Sequence, residues 1–347
     1  MRLLSHWFYL LRAALWLLPA FAKAARYAKR RALLALHLPA GLALSAPEKR
    51  RLKHYLYGTT YLSALFCALR GRARDAQEED RFANLSALAC FFDDLVDAFG
   101  KSDDSGILWR DNPEEYGQLA DKRGLALHLL YNVYAQLPPD KLTGFKAFMH
   151  RVFNVETSGR QTGRPAKTWQ VGELEQMTAE KGGCSVLMFR QLLDHPLGEA
   201  EATALYRFGA LIQLCDDIFD VWFDKQSETD TLATQWLEQG QIGVLKDFFE
   251  IQVTSTRLAF RAMYDTGHGK PYARQHVETA LAVLHYLVAI TRVCLDHYGR
   301  LSEQGPLPWA QRRQMVVDME RWGNRVRTVR YVVRGEGRSW MNEDLRI

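Results

Sequence analysis

The sequence has few cysteines, and they do not form the patterns that bind zinc or build a disulfide framework. The five cysteines are scattered along 347 residues, their number is odd, and there is no CxxC pair. Disulfide-rich secreted domains and structural zinc sites use paired, closely spaced cysteines, so the pattern argues against both. We therefore expect a reducing compartment, with the protein in the cytoplasm or at the inner face of the membrane.

The sequence also lacks sustained alternation of apolar and polar residues, internal repeats and low-complexity tracts. Apolar residues recur instead at spacings of three and four, which is typical of helices, and the prolines fall between these segments. We expect one all-α domain over residues 46–340. The predicted helices cover 48–70, 77–99, 114–136, 140–159, 171–194, 199–224, 241–266, 271–300 and 307–334.

Residues 1–45 lack the uninterrupted run of about 20 apolar residues that a transmembrane helix needs. Arg12 interrupts the apolar stretch from Leu3 to Ala22, and a basic run follows it. Three interpretations are open: a cleaved signal peptide, a helix packed on the domain, or an amphipathic helix at a membrane surface. The last of these predicts peripheral membrane contact through residues 1–40.

The charge distribution does not indicate the continuous basic face of a nucleic-acid-binding protein. Residues 1–53 carry a net charge of +10 and residues 307–347 carry +4, which leaves −9 for the centre of a chain whose total is +5. An acidic centre between basic ends favours a site that attracts divalent cations, with basic segments near phosphate or anionic lipid. We therefore expect no nucleic-acid partner.

A first acidic motif, Asp93-Asp94-Leu95-Val96-Asp97, follows the apolar segment 82–92. On a helix, residues i and i+4 share a face, so Asp93 and Asp97 are predicted to lie one above the other with Asp94 beside them. Carboxylates crowded at the end of an apolar helix repel one another, and a bound cation relieves that repulsion. Because Mg²⁺ prefers oxygen ligands, we expect these three aspartates to bind it.

A second acidic motif, Asp216-Asp217-Ile218-Phe219-Asp220, follows the apolar segment 208–215. Asp224 extends it, so that Asp216, Asp220 and Asp224 form an i, i+4, i+8 stripe on one helix face. The alternative is that these acids are ordinary solvated or capping residues. Two motifs of the same type, each at the C-terminal end of an apolar helix, favour metal binding over this alternative. We therefore expect Asp216, Asp217, Asp220 and Asp224 to bind metal.

The segment from Gly209 to Asp220 resembles the second aspartate-rich motif of the class I isoprenoid synthases, including Gln213 three residues before Asp216. The Asp93 motif is similar to their first. Lys181 stands where that family usually has a lysine that contacts the substrate diphosphate. The resemblance implies an antiparallel helical barrel around a deep apolar cavity, in a homodimer, with the two acidic motifs facing each other.

The resemblance also implies an activity, the ionisation of an allylic isoprenoid diphosphate with release of pyrophosphate. Three Mg²⁺ ions, with Mn²⁺ as an alternative, would join the aspartates of both motifs to the diphosphate. Lys181 and Gln213 would contact the same group. Arg330-Tyr331 is similar to the Arg-Tyr pair near the end of many bacterial terpene cyclases, and arginine suits phosphate oxygens, so we expect this pair to bind diphosphate as well.

The reaction class stays open between two kinds of enzyme and one protein without activity. The first motif lacks the arginine pair that usually follows it in chain-elongating enzymes, and Asp224-Lys225-Gln226 replaces the usual Gly-Lys after the second. These departures favour a terpene synthase or cyclase. The DDxxD form of the second motif favours a prenyltransferase, either chain-elongating or of the squalene and phytoene coupling type. The remaining alternative is a non-catalytic, isoprenoid- or membrane-binding helical protein.

Two consecutive glycines, Gly182 and Gly183, follow Lys181. Glycine inside a helix costs about 1 kcal/mol relative to alanine, so a pair of them indicates a local requirement. We expect a break in the helix there, which would let the backbone approach a ligand.

Overall fold

The computed structural model describes residues 11–20, 22–23, 44–99, 122–159, 169–265, 273–319 and 321–334. Every regular element in these ranges is a helix, which confirms the all-α prediction. The helices are α1 (Leu11–Ala20), α2 (Ala46–Arg70), α3 (Ala76–Phe99), α4 (Lys122–Gln136), α5 (Pro139–Gly159), α6 (Val171–Arg190), α7 (Glu199–Phe219), α8 (Val221–Gln226), α9 (Leu232–Glu238), α10 (Ile242–Asp265), α11 (Arg274–Glu303), α12 (Arg312–Met315) and α13 (Trp322–Arg334).

The described helices group into two compact units. The single domain over residues 46–340 stays a prediction. The α2–α5 unit takes in the described residues of Leu15–Thr162 and Cys184–Gly198. The α7–α13 unit takes in those of Met1–Ala14, Gly163–Gly183 and Glu199–Ile347. Helix α6 contributes its first part to the α7–α13 unit and its last part to the α2–α5 unit.

In the α2–α5 unit, α3 packs on α4, α2 and α5. Helix α2 begins at a capping box in which Ser45 and Glu48 satisfy each other's backbone N–H groups. Phe82 of α3 lies in the core between Phe66 of α2 and Phe189 of α6, at centroid distances of 6.2 and 5.7 Å. Burial of these rings holds the three helices together, because large aromatic side chains remove the most apolar surface from water.

In the α7–α13 unit, α7 and α11 pack against α10 and against each other. Helix α13 packs on α11, and α9 packs on α7, α8 and α10. Phe208 of α7 and Phe260 of α10 form an edge-to-face pair with a centroid distance of 6.1 Å, and both are fully buried. The second acidic motif therefore continues from a helix that is held by two others.

The expected break at Gly182 and Gly183 is wrong, because α6 runs through both residues without interruption. The glycines instead allow α6 and α7 to cross in backbone contact. A Cβ atom at Gly182 would collide with the carbonyl oxygen of Gly209, and one at Gly183 would collide with the ring of Tyr206. Small residues at a crossing let two helices approach more closely than side chains normally permit. Lys181 is thereby brought close to α7.

Several predicted helix bounds need correction. The segment 199–224 is interrupted at Asp220, between α7 and α8, and α9 was not predicted at all. Within 307–334 the structure has only the short α12 and α13. The missed α9 begins at a local signal, since Thr231 and Thr234 form a reciprocal cap. Of the predicted helix over 114–136, the part before residue 122 lies outside the described residues.

Helix α1 has apolar residues on both its buried and its exposed sides, and all three interpretations of the N-terminal segment stay predictions. Ala13 and Leu17 are buried, whereas Leu11, Leu15 and Leu18 are exposed along one stripe.

Among the described helices, α11 alone is long and apolar enough to cross a membrane. Because 72% of its apolar window is buried inside the protein, α11 has the character of a core helix.

Candidate functional site

The first acidic motif lies near the end of α3, as predicted, and belongs to the α2–α5 unit. The side chains of Asp93, Asp94 and Asp97 lie outside the described residues, so their role as metal ligands stays a prediction. Phe91, two residues before the motif, is fully buried, which agrees with the predicted apolar helix.

The second acidic motif crosses the junction between α7 and α8. Asp216 and Asp217 belong to the last turn of α7, Asp220 is the single residue between the helices, and Asp224 lies in α8. The backbone N–H of Asp220 donates to the carbonyl of Asp216 at 2.8 Å, and that of Asp224 donates to the carbonyl of Asp220 at 2.9 Å. Because the i to i+4 hydrogen bonds persist across the junction, the predicted stripe of aspartates is kept. We call these four residues the acidic cluster.

Asp217 is the buried member of the acidic cluster, with 6% of its surface exposed. Gln213, one turn earlier on α7, donates from Nε2 to Oδ1 of Asp217 at 2.8 Å. The hydroxyl of Thr178 on α6 donates to Oδ2 at 3.3 Å. Both carboxylate oxygens are therefore held in place. Lys181, one turn after Thr178 on α6, is close enough to lower the pKa values of Asp217 and Asp224.

The pKa values of three carboxyl groups in the acidic cluster are raised. Burial, with the charge of Asp216 adding to it, raises the pKa of Asp217 to about 6 against the opposing effects of Gln213 and Lys181. Partial desolvation of its carboxyl group and the charge of Asp216 also raise the pKa of Asp220 to about 6. Burial and repulsion from the other three aspartates raise the pKa of Asp224 to about 7, although Lys181 opposes this. Negative charge is therefore costly at this site.

The junction that carries the acidic cluster is fixed by two hydrogen bonds from elsewhere in the same unit. The hydroxyl of Tyr298 on α11, which is buried, donates to the carbonyl of Ile218 at 3.1 Å. The indole N–H of Trp222 on α8 donates to the carbonyl of Trp309 at 2.9 Å. The first bond satisfies a carbonyl near the C-terminal end of α7, where helix carbonyls lack intrahelical partners. The second fixes the orientation of α8.

The chemistry of these donors fits a hard divalent cation. The cluster offers carboxylate oxygens only, which are the ligands that Mg²⁺ and Mn²⁺ accept, and the mutual repulsion of its carboxylates is what a bound cation relieves. Asp216 and Asp220 are exposed and Asp224 is half-buried. Both carboxylate oxygens of Asp217 already accept hydrogen bonds from Gln213 and Thr178. Asp216, Asp220 and Asp224 are therefore better placed than Asp217 to act as direct ligands of the cation.

Arg330 and Tyr331 lie at a cavity, and their contact with diphosphate stays a prediction. Both line a cavity between α10, α11 and α13 of the α7–α13 unit, together with Arg300 and Lys246. The hydroxyl of Tyr331 donates to a carboxylate oxygen of Asp296 on α11. In the part of the chain that the structure describes, the aspartates of the acidic cluster do not line this cavity. The structure therefore brings Gln213 and Lys181 to the acidic cluster, but not this pair.

A second group of acids lies in the α2–α5 unit, and it was not singled out from the sequence. One carboxylate oxygen from each of Asp75, Glu78 and Asp194 lies within 4.8 Å of the others, a spacing that could hold a metal ion. Three arginines already contact these acids. We call the six residues the carboxylate network; they are Asp75, Glu78, Asp194, Arg70, Arg72 and Arg81.

Glu78 is the centre of the carboxylate network and is fully buried. Both of its oxygens accept from the guanidinium of Arg70 at 2.6 Å, and they also accept from the backbone N–H groups of Asp75 and Asp194 at 3.1 Å. Burial alone would raise the pKa of Glu78, but these hydrogen bonds lower it to about 2. The charge is thus neutralised within the protein, and the arrangement stabilises the fold without needing a metal ion.

Comparisons with protein-family models, with curated proteins and with solved structures found no match for this chain. The resemblance to the class I isoprenoid synthases therefore rests on the motifs alone and stays a prediction. Thr178 was missed from the sequence, although it stands one turn before Lys181 in the same helix and therefore on the same face.

Proposed function

We propose that the protein is a divalent-cation-dependent enzyme that ionises an allylic isoprenoid diphosphate and releases pyrophosphate, most simply as a terpene synthase or cyclase. The proposal rests chiefly on the acidic cluster, in which four carboxylates crowd one helix junction, and burial together with the neighbouring acids raises the pKa values of Asp217, Asp220 and Asp224. Crowded carboxylates of this kind favour the binding of a divalent cation, and a cation held by carboxylates is a common way to bind diphosphate in proteins.

Each described residue has a distinct part in the proposed reaction. Asp216, Asp220 and Asp224 would hold Mg²⁺, which when bound would supply the positive charge that stabilises the departing diphosphate. Lys181 adds a positive charge on the facing helix, where it opposes the rise in the pKa of Asp217 that burial causes. Gln213 and Thr178 keep the carboxylate of Asp217 in one orientation. Ionisation breaks the allylic C–O bond, and the electron pair leaves with the diphosphate.

The preference for cyclisation over chain elongation is supported by the surroundings of Lys225. In elongating enzymes a Gly-Lys pair usually follows the second motif, and here Lys225 is the nearest lysine after Asp224. Its ammonium group makes an ion pair with Glu238 of α9. Lys225 is therefore committed to a contact between α8 and α9, and it is poorly suited to a second diphosphate site.

The test is an assay of pyrophosphate release by the full chain with farnesyl or geranylgeranyl diphosphate and Mg²⁺, with and without isopentenyl diphosphate. We expect release without isopentenyl diphosphate and a hydrocarbon or terpene alcohol product. Asp216→Ala and Asp220→Ala should each lower kcat/KM by about 10²-fold, because each removes charge that holds the cation. Asp230→Ala, at an exposed position shortly after the cluster, is the matched control and should change kcat/KM less than about twofold.

Three outcomes would redirect or overturn the proposal. Release that requires isopentenyl diphosphate and gives a longer prenyl diphosphate would identify a prenyltransferase and refute cyclisation. Formation of a C30 or C40 hydrocarbon from two identical substrates would identify a coupling enzyme. The absence of release under every condition, or release that the two aspartate variants leave unchanged, would refute catalysis at the acidic cluster.

A further inference from the structure

A cavity of about 480 Å³ lies between α10, α11 and α13, within the α7–α13 unit. Its volume falls within the range of about 300–1,000 Å³ that is typical of small-molecule sites. We call it the arginine cavity; it is lined by Lys246, Val293, Asp296, Gly299, Arg300, Glu303, Arg327, Arg330 and Tyr331.

The arginine cavity and the acidic cluster lie on opposite sides of α11. Tyr298 of α11 contacts the end of α7 through its hydroxyl, next to the acidic cluster. Asp296, Arg300 and Glu303 line the cavity at i, i+4 and i+7 spacing on one face of the same helix. At about 100° per residue, Asp296 points roughly 200° away from Tyr298 around the helix axis. A ligand in the cavity is thus separated from the acidic cluster by the body of α11.

The walls of the arginine cavity carry more positive than negative charge. Four of the lining residues are basic and two are acidic, so the net charge is +2. Asp296 is already engaged, by the hydroxyl of Tyr331 and by the ammonium of Lys246 at 3.6 Å. Within the described ranges, Arg300, Arg327 and Arg330 make no hydrogen bond or ion pair. Three guanidinium groups around one cavity therefore keep their donors available for a ligand.

We propose that the arginine cavity binds a phosphate group carried by a small molecule, at a site separate from the acidic cluster. Guanidinium groups form paired, charge-assisted hydrogen bonds with phosphate oxygens and remain protonated at every physiological pH. The ring of Tyr331 and the side chain of Val293 give the cavity an apolar wall for the organic part of the ligand. This inference does not depend on the proposed function, because it involves neither Mg²⁺ nor the aspartates.

The experiment is a calorimetric titration of the full chain with inorganic pyrophosphate in buffer that contains EDTA. Arg327→Ala combined with Arg330→Ala removes two cavity donors that lie on the exposed side of α13. The control combines Arg321→Ala with Arg325→Ala, which removes the same charge at the start of the helix without touching the cavity. We expect the Kd of pyrophosphate to rise about tenfold in the first variant and less than about twofold in the control.

A second variant makes the test independent of any loss of folding. Asp296→Asn keeps the size of the side chain and raises the net charge of the cavity from +2 to +3. It also releases Lys246 from its ion pair. We expect pyrophosphate to bind about threefold more tightly to this variant, because one repulsive charge is gone. Weaker binding to Asp296→Asn, or equal weakening by both arginine double variants, would overturn the proposal.

Two further arms identify the source of the phosphate and separate this site from the proposed enzyme. The second arm is co-sedimentation with phosphatidate-containing vesicles. If the protein binds these vesicles but not free pyrophosphate, and if Arg327→Ala with Arg330→Ala abolishes the vesicle binding, the ligand is a lipid headgroup. Binding in neither arm overturns the proposal. Asp216→Ala combined with Asp220→Ala should leave the Kd for pyrophosphate in EDTA unchanged; a loss of binding there would show that the two sites are one.

Discussion

The acidic cluster and the carboxylate network are two crowded groups of acids in one chain, and they solve the same electrostatic problem differently. In the carboxylate network each acid has an arginine partner, and the pKa of Glu78 is lowered to about 2. In the acidic cluster, burial and the neighbouring acids raise the pKa values of Asp217, Asp220 and Asp224 to between about 6 and 7.

The difference shows that proximity of carboxylates is a poor criterion for a metal site by itself. The three acids of the carboxylate network are close enough for an ion, yet arginine already supplies the positive charge. The acidic cluster has Lys181 as a neighbouring cation, and its pKa values remain high in spite of it. A shortage of internal positive charge therefore distinguishes the group that is suited to an external cation.

The largest expected effect comes from breaking the carboxylate network. Glu78→Gln keeps the shape of the side chain but leaves the guanidinium of Arg70, which is 5% exposed, without its counter-charge. We expect the free energy of unfolding to fall by about 3–5 kcal/mol, since removal of one partner from a buried ion pair strands the other charge. Urea denaturation at pH 7 measures the loss.

The matched control for Glu78→Gln is Glu250→Gln in the other unit. Glu250 also makes a two-bond contact with an arginine, Arg292, but its own side chain is 48% exposed. We expect this substitution to cost less than about 1 kcal/mol, because surface ion pairs contribute little. Equal losses in the two variants would contradict the view that the carboxylate network stabilises the fold by buried charge pairing.

Mg²⁺ should stabilise the protein through the acidic cluster and not through the carboxylate network. A ligand that binds only the folded state at 100 times its Kd adds about 2.7 kcal/mol to the free energy of unfolding. We expect a gain of that order at saturating Mg²⁺ and pH 7.5, measured as a rise in Tm. Asp216→Asn combined with Asp220→Asn should remove it.

The control for the Mg²⁺ effect removes two charges from the other group of acids. Asp75→Asn combined with Asp194→Asn should lower the Tm in EDTA but leave the increase caused by Mg²⁺ unchanged. If this variant loses the response to Mg²⁺ while the cluster variant keeps it, the metal binds in the carboxylate network and the comparison is reversed.

The fold was predictable from the sequence to the extent that local patterns decide it. The helical spacing of apolar residues predicted α2, α3 and α5 almost to their ends. It failed at Asp220, where a one-residue interruption retains the i to i+4 hydrogen bonds and leaves no mark on the apolar pattern. It also failed for α9, which is too short for periodicity to show.

The site was predictable only where the contact partners are close in sequence. The motif predicted the acidic cluster, and Gln213 lies one turn from Asp217 on the same helix. Thr178 reaches Asp217 only because Gly182 lets α6 cross α7 at backbone contact, and the sequence indicated a break there instead. The arginine cavity depends on residues of α10, α11 and α13 that are far apart in the chain, and no local pattern brings them together. In the carboxylate network only Asp194 is distant, since the other five residues lie within 70–81 and Asp75 and Glu78 form a reciprocal cap, a local signal that was missed.

The pH dependence of stability should differ in sign between the two groups. The pKa of Asp217 is raised in the folded state, from 3.8 to about 6, so its contribution is present at low pH and is lost as the pH rises through 6. The pKa of Glu78 is lowered, from 4.5 to about 2, so its contribution is present above 4.5 and is lost as the pH falls toward 2. In EDTA we expect Asp217 to account for a decrease of about 1.4 kcal/mol between pH 5 and 7.5.

Urea denaturation at the two pH values, in wild type and in Asp217→Asn, measures this contribution. The variant has no carboxyl group to titrate at that position, and its amide can still accept from Thr178. Its stability should therefore fall less than that of the wild type between pH 5 and 7.5. An undiminished decrease in Asp217→Asn would show that the pH dependence arises outside the acidic cluster.

The smallest expected effect is also the one that is most specific to the acidic cluster, the removal of a single repelling charge. Asp224 is half-buried, and this burial together with the other three aspartates raises its pKa to about 7, so its carboxylate is destabilising in the absence of a cation. In EDTA at pH 7.5, Asp224→Asn should raise the free energy of unfolding by about 0.5 kcal/mol. Asp230→Asn, the same substitution at an exposed position, should leave it unchanged within about 0.3 kcal/mol.

Addition of Mg²⁺ should reverse the order of stability for Asp224. Once a cation is bound, the carboxylate of Asp224 stabilises it. The Tm of the wild type should therefore rise more on addition of Mg²⁺ than the Tm of Asp224→Asn does. An acid whose removal stabilises the metal-free protein and destabilises the metal-bound one has to lie at the metal site. If Asp224→Asn instead destabilises the protein in EDTA, its carboxylate is already compensated within the fold, and the acidic cluster resembles the carboxylate network more than its pKa values indicate.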